Sequence, residues 1–297
     1  MTEIRLLVVP YEVAASRMGV GLGPEQLLEF GAERALRSQG ARVQIQVLQL
    51  EDAVRDQSGA SEPRAGFELI RLVAAHAREA IADGAFPVLL SGSCFAGLGM
   101  VVAMNELSPG VVWFDAHGDF NTPDSTVDGY FDGMGLAVLT GDAWRSMSAT
   151  SMGGTTVPEG AVVLAGARDF DPEEENRVES SALQHLRPER IDSDKTIVDT
   201  VSAMRPTPTG LYVHLDLDVL DSDEARVNIY SVPGGLTASQ LESQIRSLME
   251  SCPVRAFSLT AYDPECDEEG RVPPIAMRLL EIVAETVEQR AFEGPGS

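Results

Sequence analysis

The sequence has no apolar run of the roughly 18 residues that a membrane-spanning helix needs. Its first residues, MTEIRLLVVPYEV, lack the basic start and longer apolar stretch of a secretory signal. Three cysteines, Cys94, Cys252 and Cys266, are too few and odd in number for a disulfide scaffold. Free thiols in a reducing cytoplasm are the expectation. Positive charge is also scarce: 22 Lys and Arg stand against 46 Asp and Glu, a formal net charge of −24. Such a chain repels phosphate backbones and anionic lipid, so neither nucleic acid nor membrane is expected as a partner. Solubility accounts for most of the acids, but not for the few Asp that interrupt apolar strands.

At 44% hydrophobic and 23% charged residues, the composition is that of an ordinary globular protein and excludes disorder and coiled coil. Apolar, β-branched runs at 4–10, 41–50, 86–92, 110–117, 160–166, 210–221 and 254–263 predict strands. Several are apolar nearly throughout, as a sheet covered on both faces requires. Helices are predicted at 24–38, 65–83, 95–106, 183–187, 237–250 and 275–290, with Thr237 and Glu242 marking one helix start. Segments 53–64 and 170–182 read as polar loops, and the EGPGS tail as disordered. This alternation predicts an α/β protein, one domain over 1–297, with a mainly parallel central sheet between two helical layers. The chain runs little beyond its last predicted helix, which favours a monomer.

In open parallel sheets, ligands gather at the carboxyl ends of the strands. VVWFDAHGDFNTP puts Asp115, His117 and Asp119 at alternate positions after an apolar strand, and LYVHLDLDVLD does the same with His214, Asp216 and Asp218. In an extended chain, each set projects to one side. Burying like carboxylates together is costly unless a cation neutralises them. A single Asp at a strand end is commonly a cap or turn former. That reading serves Asp221 and extends to Asp119, but does not cover two clusters. Hard oxygen donors with one imidazole suit Mn²⁺ or a similar divalent ion, and five ligands suit a bridged pair. Such a pair polarises a substrate and generates a nucleophile from water.

These motifs resemble those of the arginase/agmatinase (ureohydrolase) family. DAHGDFNTP (115–123) is similar to its D-A-H-x-D-x-x-x-P segment, and HLDLDVLD followed by PGGL to its S-x-D-x-D-x-x-D…GGL segment. SGSCFAGLG (91–99) stands where the family has G-G-D-H-S. GVGLGPEQLL (19–28) and GARDFDPEE (166–174) resemble two further family segments. The likeness runs in order over nearly the whole chain. It implies a three-layer α/β/α arginase-like fold, two Mn²⁺ ions and a small amino-acid substrate. One ion would take Cys94, Asp115, Asp119 and Asp216, the other His117, Asp115, Asp216 and Asp218. The likeness further implies that Asn121 contacts the substrate carboxylate and that Asp171 and Glu174 lie around its α-amino group, with Asp128 a further substrate-binding residue. Each has an ordinary alternative, as a turn former or surface acid.

Three positions depart from the family pattern. Cys94 replaces a histidine ligand; it reads either as a thiolate ligand or as a small buried hydrophobe in a chain that has lost one ion. Ala261 replaces a glutamate that, in arginases, faces the guanidinium. Asp132 replaces a histidine associated with proton transfer. The candidates for handling protons are Asp119, Asp132 and also His214, which shares the strand face of Asp216 and Asp218 and is equally readable as a satisfied core residue. A lost partner charge disfavours a protonated guanidinium, so the expected substrate is a less basic guanidine, Nω-hydroxy-L-arginine, cleaved to hydroxyurea and L-ornithine. The alternatives are another ureohydrolase substrate, or a metal-poor binding protein on the same fold.

Overall fold

The computed structural model describes residues 2–50 and 62–293. Its strands are β1 (Glu3–Val9), β2 (Tyr11–Glu12), β3 (Ala15–Ser16), β4 (Arg42–Val47), β5 (Phe86–Ser91), β6 (Pro109–Phe114), β7 (Val162–Ala165), β8 (Gln184–Leu186), β9 (Gly210–Asp216) and β10 (Val254–Thr260). Its helices are α1 (Gly23–Phe30), α2 (Ala32–Leu36), α3 (Glu62–Ala82), α4 (Leu98–Ala103), α5 (Gly135–Thr140), α6 (Arg145–Ser151), α7 (Pro172–Ser180), α8 (Thr196–Ala203), α9 (Ala238–Ser251) and α10 (Val272–Glu293). Apart from the small β2–β3 hairpin, the strands form one eight-stranded sheet in the order β4-β1-β5-β10-β9-β6-β7-β8. Every pairing within it is parallel.

Alternation along each strand feeds two separate cores. Ile4, Leu6 and Val8 of β1 face a core shared with Leu27, Leu36, Leu241 and Leu279. Leu7 and Val9 face the opposite core, with Phe67, Ile70, Leu98 and Leu136. On β6, Val112 and Phe114 serve the first core and Val111 and Trp113 the second. Helices therefore cover both faces, and near-continuous apolar strands are the consequence. This is the expected three-layer α/β/α arrangement.

Local details differ from the sequence expectations. The single helix expected at 24–38 is two, broken at Gly31, whose φ of 137° no helix tolerates. The short helix expected at 183–187 is instead strand β8, which pairs with β7 through Val163 and Gln184 at the sheet edge. The polar loop expected at 170–182 contains α7. Its missed signal is D-P-E-E, an Asp N-cap with Pro and Glu in the first turn. α9 starts at Thr237 as expected, but Gln240 rather than Glu242 completes the capping box. Helices α5, α6 and α8, which span only six, seven and eight residues, are not among the expected helices. Of the 53–64 loop, 62–64 belong to α3 and the rest lies outside the described residues, as does nearly all of the tail.

One close approach ties this frame to the site. Gly23 opens α1 at an ordinary helical φ of −55°, so the helix itself would accept alanine. A Cβ there would overlap the Tyr262 carbonyl oxygen and lie 2.9 Å from its carbon. Gly23→Ala must push the 261–263 turn away, an overpacking cost of about 1–3 kcal/mol. Denaturant unfolding should show that loss. An unchanged midpoint would mean that the turn yields freely.

Candidate metal centre

The carboxyl ends of β5, β10, β9 and β6 lie side by side at the middle of the sheet. They open into a cavity of about 430 Å³. Cys94 enters it after β5, Asp115, His117 and Asp119 after β6, Asp216 and Asp218 at the end of β9, and Ala261 after β10. Among the described residues lining it there are many carboxylates and one histidine, but no lysine or arginine.

The two Asp-rich motifs reach the cavity by different backbone routes. After β6 the chain bends at Ala116, and His117 then makes an isolated parallel bridge to Asp169. Asp119 then takes a left-handed φ of 47°, a conformation Asp tolerates better than most residues, and it too lines the cavity. After β9 the chain turns instead into a 3₁₀ turn, Leu217–Val219, capped by Asp216. Asp216 Oδ1 accepts from the Asp218 N–H at 2.8 Å. Asp216 and Asp218 therefore line the cavity, but His214 does not. It lies inside the sheet, stacked on Trp113 at 3.5 Å between ring centroids. Its Nδ1 is 3.0 Å from Tyr212 Oη and 3.1 Å from Ser258 Oγ, and its Nε2 is 3.3 Å from Thr260 Oγ1. Burial holds its pKa well below the usual histidine range, so it is neutral.

The ligand-type atoms converge. Cys94 Sγ lies 2.9 Å from Asp216 Oδ2. His117 Nδ1 is 3.2 Å from Asp115 Oδ1 and 3.4 Å from Asp218 Oδ2. Two sets of donors, Cys94/Asp115/His214 and Asp115/His117/Asp218, each place one atom per residue within 4.8 Å of the others. Asp115 is common to both.

Three observations fit this donor set to divalent cations. Burial, followed by repulsion from Asp218, pushes the Asp115 carboxyl up to about 6. Burial and then Asp115 raise Asp119, and burial and then Asp218 raise Asp216, both well above the usual range. Although burial opposes it, Asp218 and Asp115 raise His117 to about 10, so the cluster draws in positive charge wherever it can. Finally, Asp119 Oδ2 is buried without a hydrogen-bond partner. The nearby Arg168 does not neutralise the cluster; it donates to main-chain carbonyls, among them Asp218, Leu220 and Val232.

Other expected residues form the outer wall. Asn121 donates from Nδ2 to Asp171 Oδ2 at 3.1 Å and accepts from Ser125 Oγ at 2.9 Å. Asp171 Oδ2 also accepts from Val127 N at 3.0 Å. Glu174 Oε1 accepts from Phe120 N at 2.8 Å, and burial raises its pKa to about 7. Asp128 Oδ1 accepts from Tyr130 N at 2.9 Å. Asp132 lies deeper, with both oxygens accepting from the Cys94 turn. Four residues escaped the sequence reading. Asn228 donates to Asp218 Oδ2 at 3.1 Å and to the Ala261 carbonyl at 3.0 Å. Trp113 Nε1 donates to Asp115 Oδ2 at 3.1 Å. Tyr130 and Tyr230, with ring centroids 5.3 Å apart, both line the cavity. An Asn or Tyr in a loop has no sequence mark that distinguishes it from its neighbours.

This chain belongs to the arginase family, whose profile matches residues 2–284. The arginase of Bacillus caldovelox is 27% identical over 292 residues, covering 94% of this chain and 97% of the relative. The arginase of Brevibacillus brevis is 25% identical over 291 residues, covering 95% and 97%. The solved structure of Bacillus caldovelox arginase matches with a TM-score of 0.85 at 23% identity, covering 96% of this chain and 98% of that one. Formimidoylglutamase from Bacillus subtilis matches with a TM-score of 0.73 at 16% identity, covering 97% and 88%. The family is thus that of the ureohydrolases, and the structural likenesses place the fold among them.

The raised carboxyl groups fix a sign. In the unfolded chain Asp and Glu titrate near 4, whereas Asp115 and Glu174 hold protons to about 6 and about 7. Between those limits the folded, metal-free protein binds more protons than the unfolded chain, so its stability falls as pH rises. Divalent cations displace such protons and bind more tightly as they leave. The unfolding temperature without metal should fall between about pH 5 and about pH 7. The increment given by Mn²⁺ should grow over the same interval. A metal increment independent of pH would separate these protons from the binding site.

Proposed function

We propose that this chain is a two-manganese hydrolase that cleaves Nω-hydroxy-L-arginine to hydroxyurea and L-ornithine. The observation that carries the reading is the floor of the cavity. Cys94 and Ala261 both line it, and Ala261 offers a methyl group where family arginases present a glutamate to the guanidinium. An oxygen on a guanidine nitrogen lowers its basicity, and a neutral hydroxyguanidine does not need that buried partner. The pairing of Cys with Ala resembles the Nω-hydroxy-L-arginine hydrolase of D-cycloserine biosynthesis.

In this reading Cys94, Asp115, Asp119 and Asp216 hold one ion, and His117, Asp115, Asp216 and Asp218 hold the other. Bound divalent ions would supply a water of lowered pKa and an electrophilic field at the guanidine carbon. The chain's own residues do the rest. Asp119 Oδ2 is the buried carboxylate oxygen left free of hydrogen bonds, so it is placed to orient the attacking water and take up its proton. Water oxygen adds to the guanidine carbon, the bond from that carbon to Nδ breaks, and the proton passes to Nδ as ornithine leaves. His214 is neutral, enclosed and bonded at both nitrogens, which suits support of the sheet better than proton delivery. Asn121, Asp128, Asp171 and Glu174 form the wall that receives the α-amino-acid end.

Parallel kinetics with arginine and hydroxyarginine at saturating Mn²⁺ test the proposal. Hydroxyarginine should be strongly preferred, with hydroxyurea and ornithine formed in equal amounts. Preference for arginine, or for a formimino acid, would reject it. Two variants follow. Cys94→Ser exchanges a thiolate for a neutral hydroxyl and should lose most of one metal equivalent and most turnover, read by elemental analysis and assay; full retention of both would remove Cys94 from the ligand set.

Ala261→Glu should raise the arginine-to-hydroxyarginine ratio of kcat/KM by about tenfold or more, since a charge-assisted hydrogen bond contributes about 1.5–3 kcal/mol. The backbone there is already left-handed, with φ of 64°, and alanine bears that strain as glutamate would. An unchanged ratio in a folded two-metal variant would place discrimination elsewhere in the pocket.

A further inference from the structure

Asp132 comes from the loop that follows Asp119, yet it spends its hydrogen bonds on another segment. Its Oδ1 accepts from Ser93 Oγ and, at 2.9 Å, from Phe95 N; its Oδ2 accepts from Cys94 N at 3.0 Å. These donors belong to one turn, which runs from the end of β5 through a 3₁₀ turn, Phe95–Gly97, into α4. Helix starts leave N–H groups without internal partners. Here the partner is a carboxylate from a segment 37 to 39 positions away in sequence. No residue of the turn itself supplies a side-chain cap.

The other end of the strut is equally fixed. Asn121 N donates to the Gly133 carbonyl at 3.2 Å, and Leu136 N donates to the Asp119 carbonyl at 2.8 Å. Beside Asp132, Phe131 packs on Phe95 with ring centroids 4.4 Å apart. Asp132 is 5% exposed, so the hydrogen bonds are made away from water, where breaking them leaves buried N–H groups unpaired. One carboxylate thus joins the turn carrying Cys94 to the loop carrying Asp119.

We propose that Asp132 is a positioning residue that holds the Cys94 sulfur at the metal cluster, by capping the Cys94 turn from the Asp119 loop. It replaces proton carriage with support: its oxygens are already engaged by donors of the turn. The inference rests on the reading of Cys94 as a metal ligand, and its test separates the two.

The test is spectroscopic. Co²⁺ bound by a thiolate gives a near-ultraviolet charge-transfer band, which reports sulfur ligation without turnover. Wild-type protein loaded with Co²⁺ should show the band and Cys94→Ser should lack it. Asp132→Ala should weaken binding of the sulfur-held ion by about 10–100-fold, the usual cost of removing a group that orients a ligand. The band should fall with it, while the ion at His117 and Asp218 is retained. Asp132→Asn keeps one carbonyl acceptor and should restore part of the band. Should Asp132→Ala not fold, Ser93→Ala, which removes one donor and leaves the carboxylate, should give a smaller loss of the same band. An unchanged band and affinity in folded Asp132→Ala, or in both Asp132→Asn and Ser93→Ala, would overturn the inference while leaving Cys94 a ligand. Loss of turnover with both ions and the band intact would also overturn it, placing Asp132 at the substrate. A wild-type protein without the band would sink the ligand reading and this inference with it.

Discussion

Buried carboxylates crowded together at the middle of a parallel sheet, with His117 but no lysine or arginine among the described residues lining their cavity, are the constraint on which the rest of this structure depends. Each is tolerable only because part of it is satisfied locally. His117 N donates to Asp115 Oδ1 at 2.8 Å, Ala116 N to Asp218 Oδ1 at 3.1 Å, and Asp218 N to Asp216 Oδ1 at 2.8 Å. The backbone thereby satisfies one oxygen of Asp115, Asp216 and Asp218, and Trp113, Cys94 and Asn228 donate to their second oxygens, whereas Asp119 Oδ2 is left without a partner. The repulsion between these buried groups is relieved by protons or by divalent cations. The sheet makes the crowding possible. Strands β5, β10, β9 and β6 are neighbours, so residues far apart in sequence leave the sheet at the same level.

Rigid support has to come from outside the cluster, because its own members repel. Arg168 shows one form of it. Burial lowers the affinity of its guanidinium for its proton, yet its donors go to carbonyls around the Asp218 turn and the 232–233 segment rather than to a carboxylate. It fixes loop geometry while leaving the carboxylates available. Trp113 shows another form: its indole N–H holds Asp115 while its ring stacks on His214. Tyr212 and Ser258 close that layer with a 2.6 Å hydrogen bond beneath the site. A polar layer of this kind is satisfied within itself, which is the condition for burying it.

The sequence made the centre of the molecule legible and its margins less so. Apolar runs broken by Asp are unusual enough to mark both metal motifs, and strand–helix alternation was sufficient to place them at one sheet end. His214 shows where pattern reading stops. Alternation put it on the face of Asp216 and Asp218, but the chain leaves the strand at Asp216, and depth along the strand decides what reaches the cavity. α7 was hidden because its sequence, PEEENRVES, has almost no apolar stripe; it is held by its cap and by Val178 and Glu174. β8 was hidden because three residues give no period at all. Asp132 was visible as a departure from the family motif, but its partners are set by a loop-to-turn approach that no spacing rule encodes.

The two departures at the cavity floor have a common electrostatic sense. In the proposed function, a thiolate ligand at Cys94 in place of a neutral imidazole adds one negative charge beside the bound ions, although burial, followed by Asp216, raises the thiol pKa in the metal-free protein. Exchanging a glutamate for Ala261 removes one from the guanidine position. Between these two positions negative charge moves from the substrate's side to the ions' side, and Asp132 adds a further carboxyl group to the cavity where the family has a histidine. A cationic guanidinium loses on both counts: its partner charge is gone, and the electrophile it must face is weakened by the sulfur. A neutral hydroxyguanidine loses little by the first change, since it brings no charge that needs the missing partner. Together they support the proposed reading of a substrate that enters without a full positive charge.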